Sequence, residues 1–114
     1  MKKFLTPILV VLLTAACQQK YVDRYDSLAV DRTYLSVECT ASTIPVMVYY
    51  SGPWTAVIAS DCDWASLNRN SGDKIDAIYV TFQENTGVAR ETTLTLSNNK
   101  NESISIQINQ KAGI

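Results

Sequence analysis

From Thr33 onward apolar residues recur at every second position, in short runs broken by turn residues. Leu35, Val37 and Cys39 alternate with Tyr34, Ser36 and Glu38, and Ile104, Ile106 and Ile108 alternate with Ser105, Gln107 and Asn109. Side chains leave an extended chain on alternate faces, so each run is a strand with one apolar face to bury. Further runs place Ile44, Val46, Val48 and Tyr50 on one face, then Trp54, Ala56 and Ile58, then Ile78, Val80 and Phe82, then Thr92, Leu94 and Leu96. Trp64 to Leu67 makes a short return. The breaks are Ser51-Gly52-Pro53, Asp61-Cys62-Asp63, Asn68 to Asp73, Asn85-Thr86-Gly87 and Asn98 to Asn101, all rich in turn formers. The Asn and Gly of Asn85-Thr86-Gly87 tolerate positive φ. Pro45 cannot donate to a ladder and belongs at a strand start or a sheet edge. No run after the leader has a helical period. About seven short strands, each with one face to hide, predict an all-β, antiparallel β-sandwich. Its centre is the stretch Trp54 to Gly72, where two tryptophans bracket a short apolar strand.

The first 17 residues, MKKFLTPILVVLLTAAC, have the order of a secretory leader. Lys2 and Lys3 give a positive start, Phe4 to Leu13 an apolar stretch and Ala15-Ala16 a small-residue exit. The apolar run falls short of the about 20 residues that span a bilayer. Cys17 directly after the small residues resembles the lipobox of bacterial lipoproteins, in which the cysteine becomes the lipidated N-terminus. Thr14 stands where that pattern has an aliphatic residue. The resemblance implies removal of residues 1–16, a lipid anchor on Cys17 and, with Gln18 rather than Asp following, the outer membrane. Whether the domain faces the periplasm or the outside is open. The sequence divides into a signal peptide (1–16), a lipidated Cys and tether (17–32) and one β-domain (33–114). Gln18 to Arg32 has mixed charge and no sustained apolar period. It reads as an extended spacer, with docking of Tyr21, Val22 and Tyr25 on the domain as the other reading, and Leu28 to Val30 able to begin the first strand.

Of the 114 residues, removal of 16 leaves 98, one domain's worth. Losing Lys2 and Lys3 takes the 10 basic residues to 8 against 11 acidic ones, a net charge of −3. A mildly acidic domain does not supply the basic face that nucleic acid requires. The chain has no histidine, so Ser and Cys nucleophiles lack their usual base. Asp61, Asp63, Asp73 and Asp76 match no calcium-loop spacing and read as solvated turn carboxylates. No cleft-building insertion supports a glycosidase carboxylate pair. The sequence therefore calls for no enzyme, no metal and no cofactor.

Trp54-Thr55, Asp63-Trp64, Ser71-Gly72, Glu84-Asn85-Thr86-Gly87 followed by Arg90, and Ile106-Gln107-Ile108-Asn109-Gln110 resemble, in order and spacing, the BACON domain (Bacteroidetes-associated, carbohydrate-binding, often N-terminal). The resemblance runs from about Thr33 to Gln110. It implies an immunoglobulin-like sandwich in a bacterial envelope and a link to glycan or mucin. That link comes largely from attached enzymes, and none is attached here.

Trp64 reads as core, at a cost of about 3–5 kcal/mol if truncated to alanine. Trp54 has two readings, core or sugar-stacking ring. Tyr49 and Tyr79, if both point outward, make an aromatic platform with Tyr50 nearby; otherwise they are cross-strand pairs covering a sheet face. Cys39 and Cys62 either form a disulfide, which an oxidising envelope permits, or remain one buried and one exposed thiol. Arg90 reads as structural, anchoring the preceding turn or pairing with an acid. Two functions follow: a non-catalytic envelope lipoprotein binding glycan or mucin, or a structural spacer or accessory subunit that binds an envelope protein and has no glycan affinity.

Overall fold

A computed structural model describes residues 25–114 as nine strands in two sheets. The strands are β1 (Ala29–Val30), β2 (Tyr34–Val37), β3 (Ser42–Tyr49), β4 (Trp54–Ile58), β5 (Ala65–Leu67), β6 (Ser71–Gly72), β7 (Asp76–Phe82), β8 (Arg90–Asn98) and β9 (Ser103–Gln110). One sheet has the order β1-β3-β7-β5 and the other β2-β9-β8-β4-β6. Seven strands have three residues or more, as the alternation predicts; β1 and β6 are two-residue additions at sheet edges.

The alternation is realised as burial. Val46, Val48, Ile78 and Val80 from the first sheet meet Leu94, Leu96, Ile106 and Ile108 from the second, all fully buried. Each such side chain contributes about 1.5–3 kcal/mol relative to exposure. Trp64 and Phe82 fill one end of this layer with ring centroids 6.3 Å apart, and Trp64 is core as its sequence position predicts.

One pairing departs from the antiparallel pattern: β2 runs parallel to β9, Leu35 opposite Ile108. The chain leaves β1 in one sheet and enters β2 in the other after three residues. The Asn85-Thr86-Gly87 turn does not use the positive φ that its Asn and Gly tolerate. Among the described residues only Asn101, in the β8–β9 hairpin, has a left-handed φ of 64°. The Asn85 turn is closed instead by its side chain, whose Oδ1 accepts the Gly87 N–H at 3.0 Å.

The ordered domain also takes in part of the stretch expected as tether. The Tyr25 N–H donates to Ser51 Oγ at 2.7 Å, and the Ser51 N–H returns a bond to the Tyr25 carbonyl at 3.0 Å. Leu28 is buried, and its N–H donates to Glu102 Oε1 at 3.0 Å. Ala29 and Val30 then pair with Tyr49 and Val48. Cys17, Tyr21 and Val22 lie outside the described residues.

Candidate functional site

The motif residues at the Asn85 end of the sandwich form a structural clasp. Arg90 Nε donates to Gln110 Oε1 at 2.8 Å, while Nη2 donates to the carbonyls of Gln83 (3.3 Å) and Glu84 (3.2 Å). The guanidinium lies 4.6 Å from the Trp64 ring centroid. Gln110, fully buried, donates through Nε2 to the carbonyls of Glu38 and Gln83. Asn85 Nδ2 donates to the carbonyls of Val88 and Lys111. Buried polar groups persist only when hydrogen-bonded, and these bond loop carbonyls that no strand satisfies. Arg90 is thus an anchor of the turn, as read from the sequence.

Trp54 is not a ligand platform. It is 1% exposed, faces the core, and donates through Nε1 to the Lys74 carbonyl at 2.8 Å. The strand parity that puts Ala56 and Ile58 inward puts Trp54 inward with them. Cys39 and Cys62 are both half-buried free thiols, so no disulfide is formed. Cys39 lies beyond the end of β2, where its carbonyl accepts the Asn85 N–H at 2.7 Å; Cys62 is fixed by a turn to the Ala59 carbonyl and packs on the core edge.

Tyr49 and Tyr79 both lie on the outward face of the β1-β3-β7-β5 sheet. Tyr79, 47% exposed, stands opposite Pro45; Tyr49, half-buried, stands opposite Ala29. They share a face but do not touch. Tyr49 lies four residue steps along β3 from Pro45, about 13 Å. Tyr50 points the other way and is buried, its hydroxyl donating to Asn99 Oδ1.

The neighbour of Tyr49 is Tyr25, whose ring centroid lies 5.5 Å away at an interplanar angle of 45°. Tyr25, Tyr49, Met47, Pro45 and Tyr79 therefore form one stripe of rings and aliphatic groups. Asn68 Oδ1 accepts the Tyr79 N–H at 2.8 Å beside the stripe, while Arg69 pairs with Asp76 at 2.8 Å at the start of β7, where Asp76 has the parity of the inward Ile78 and Val80. Asp76 is held below the usual carboxylate range, first by the Ala77 N–H and then by Arg69. No group of three or more Cys or acidic side chains able to hold a metal occurs among the described residues.

The sequence reading left Tyr25 either in a spacer or docked on the domain, without naming Tyr49 as its contact, and gave no role to Tyr34, 54% exposed on β2. The outward position of Tyr34 was legible, since it alternates with the buried Leu35 and Val37. The ring contact of Tyr25 joins residues far apart in sequence and left no local signal.

Solved structures with this fold include the Bacteroides ovatus GH5 xyloglucanase in complex with a XXXG heptasaccharide, at 20% identity and TM-score 0.69 over 75% of this chain and 19% of that one. The PapD-like domain of human CEP192 is similar at 7% identity and TM-score 0.59, over 83% of this chain and 94% of that one. The CsuC–CsuE chaperone–tip adhesin complex of Acinetobacter baumannii matches at 10% identity and TM-score 0.59, over 76% of this chain and 57% of that one. These likenesses are likenesses of fold, an immunoglobulin-like sandwich, and the chain spans about a fifth of the length of the xyloglucanase. No curated protein sequence matches the chain. The family model BACON, described as "Putative binding domain, N-terminal", matches residues 54–111, just over half of the chain. The chain belongs to the BACON family.

Proposed function

We propose that this protein is a non-catalytic module that binds glycan, carried on an envelope lipoprotein anchored through Cys17. The observation that carries the reading is the outward stripe of Tyr25, Tyr49, Met47, Pro45 and Tyr79, with Asn68 beside Tyr79. Tyrosine offers a flat apolar ring with a polar tip, suited to a ligand with C–H faces and peripheral hydroxyls. Two tyrosines on the adjacent strands β3 and β7, offset by about 13 Å along the strand direction, suit an extended chain better than a single small molecule. A binding-domain family and the similar sandwich within a xyloglucan-degrading enzyme support the setting.

The alternative, a partner protein added at a sheet edge, has less support on the β3 side. Asp31 blocks that edge by accepting the Met47 N–H at 3.1 Å through Oδ1 and donating its own N–H to the Met47 carbonyl. Pro45 has the same parity as Met47, so its missing N–H falls on the same edge.

The test is a glycan array carrying neutral plant polysaccharides and mucin O-glycans, probed with the full chain. Binding that is lost in Tyr49→Ala or Tyr79→Ala supports the reading. A blank array from a well-folded protein overturns it and favours the partner-protein alternative. For the anchor, metabolic labelling with an alkyne fatty acid, absent in Cys17→Ala, is the expected result.

A further inference from the structure

Four outward side chains of β2, β9 and β8 are joined in a row across the second sheet. Tyr34 Oη accepts a hydrogen bond from Asn109 Nδ2 at 3.2 Å. Asn109 Oδ1 accepts from Gln107 Nε2 at 2.8 Å, and the same Nε2 donates to Glu91 Oε1 at 3.0 Å. The Tyr34 ring at the end of this row is 54% exposed. A hollow of about 200 Å³ opens beside Glu91 and Asn109, lined also by Ala89, Arg90 and Gln110.

We propose that this row and its hollow form a contact site for a neutral glycan chain, one sugar ring seated in the hollow and a neighbouring ring against Tyr34. The inference rests on the glycan reading above but assigns a second contact on the opposite sheet. The hydrogen-bonding capacity fits. The row leaves the second Glu91 oxygen, Gln107 Oε1 and the Tyr34 hydroxyl proton for a ligand whose hydroxyls both donate and accept. The side chains already hold one another, so little rotamer freedom is lost on binding. The hollow is smaller than the about 300 Å³ at which drug-sized sites begin, which suits one ring of a longer chain.

Charge selects the class of glycan. Glu91 is the only charged residue that the strands present outward on this sheet, among Ser36, Thr93, Thr95, Ser97, Ser105 and their neighbours. Lys111, just past the end of β9, is neutralised by Glu38 at 2.8 Å. The Arg90 guanidinium is turned onto Gln110, two loop carbonyls and Trp64. A uronic, sialylated or sulfated sugar would bring its charge to Glu91 with no cation presented outward by these strands, among the described residues, to offset it.

Affinity electrophoresis of the full chain through galactomannan, mixed-linkage β-glucan and polygalacturonate tests this. The expected result is retardation in a neutral gel and none in polygalacturonate. Tyr34→Ala and Gln107→Ala are each expected to weaken binding about tenfold, the scale of one aromatic or hydrogen-bonded contact. Both positions are surface side chains, and thermal melts of the variants establish that they fold. Retardation unchanged in folded Tyr34→Ala and Gln107→Ala but lost in Tyr79→Ala overturns this site and leaves the glycan reading standing. Equal retardation by polygalacturonate overturns the neutral class. No retardation of the wild type in any gel, with a blank glycan array, overturns the site together with the reading it rests on.

Discussion

The Trp54 indole packs so closely on Gly72 that a β-carbon there would stand 2.3 Å from the ring. The ring has no room to retreat, being 1% exposed and held through Nε1 by the Lys74 carbonyl. Gly72→Ala is therefore expected to destabilise the domain by about 1–3 kcal/mol, the cost of overpacking a filled core. Gly87 is the control. A β-carbon there meets only Asn85 Oδ1 at 3.8 Å, so Gly87→Ala should stay within about 0.5 kcal/mol of wild type. Urea midpoints of the two variants decide it; equal midpoints would refute the packing assignment.

Arg90 and Trp64 are the second structural pair. A lysine at position 90 keeps the charge but not the planar fork that reaches Gln110, Gln83 and Glu84 together. Arg90→Lys should cost about 1.5–3 kcal/mol, the range for charge-assisted hydrogen bonds. Trp64→Ala should cost about 3–5 kcal/mol. The two losses should be less than additive in a double-mutant cycle, because each substitution removes the same packing of the planar guanidinium on the indole ring. Strict additivity would mean that the contact carries no energy.

Glu102 ties the segment before β1 to the sandwich. Its carboxyl is held below the usual range first by the Leu28 N–H and then by Asn98 Nδ2. A folded-state pKa below the unfolded one gives stability that is present above the ordinary value of 4.5 and is lost as pH falls through the lowered folded value. Acidification below pH 4.5 should therefore release Leu28 before the core opens. Protection of the Leu28 amide relative to its intrinsic exchange rate at each pH, lower in Glu102→Ala at neutral pH and falling in the wild type only on acidification, measures this. Protection indifferent to both changes would mean that Glu102 does not hold the segment.

Cys39 and Cys62 are expected to be separately alkylated when the protein is unfolded without reductant. Peptide mass spectrometry should recover both as alkylated thiols. Recovery of a linked Cys39–Cys62 peptide from freshly prepared protein would contradict the free-thiol state.

Much of the fold was legible because β-structure writes itself locally. A period of two assigns each residue a face, so burial of Leu35, Val48, Ile78, Leu94 and Ile106 followed from position alone. The same rule set Tyr49 and Tyr79 outward and Tyr50 inward. The clasp was half legible: the Asn85 turn and Arg90 marked a special corner. The partnership of Arg90 with Gln110, 20 residues away, needed the register of the β8–β9 hairpin, which sets the two opposite each other.

The sequence by itself determined the strands, their apolar faces, the sandwich and the family, because pleat alternation and turn chemistry act between near neighbours. Tertiary structure alone decided which face Tyr25 covers, that Cys39 and Cys62 stay unbridged, that Gly72 must lack a side chain beneath Trp54, and that Tyr34, Asn109, Gln107 and Glu91 line up across three strands. Each of these is a meeting of side chains from different strands or loops. Strand order and register set those distances, and no short-range pattern encodes them.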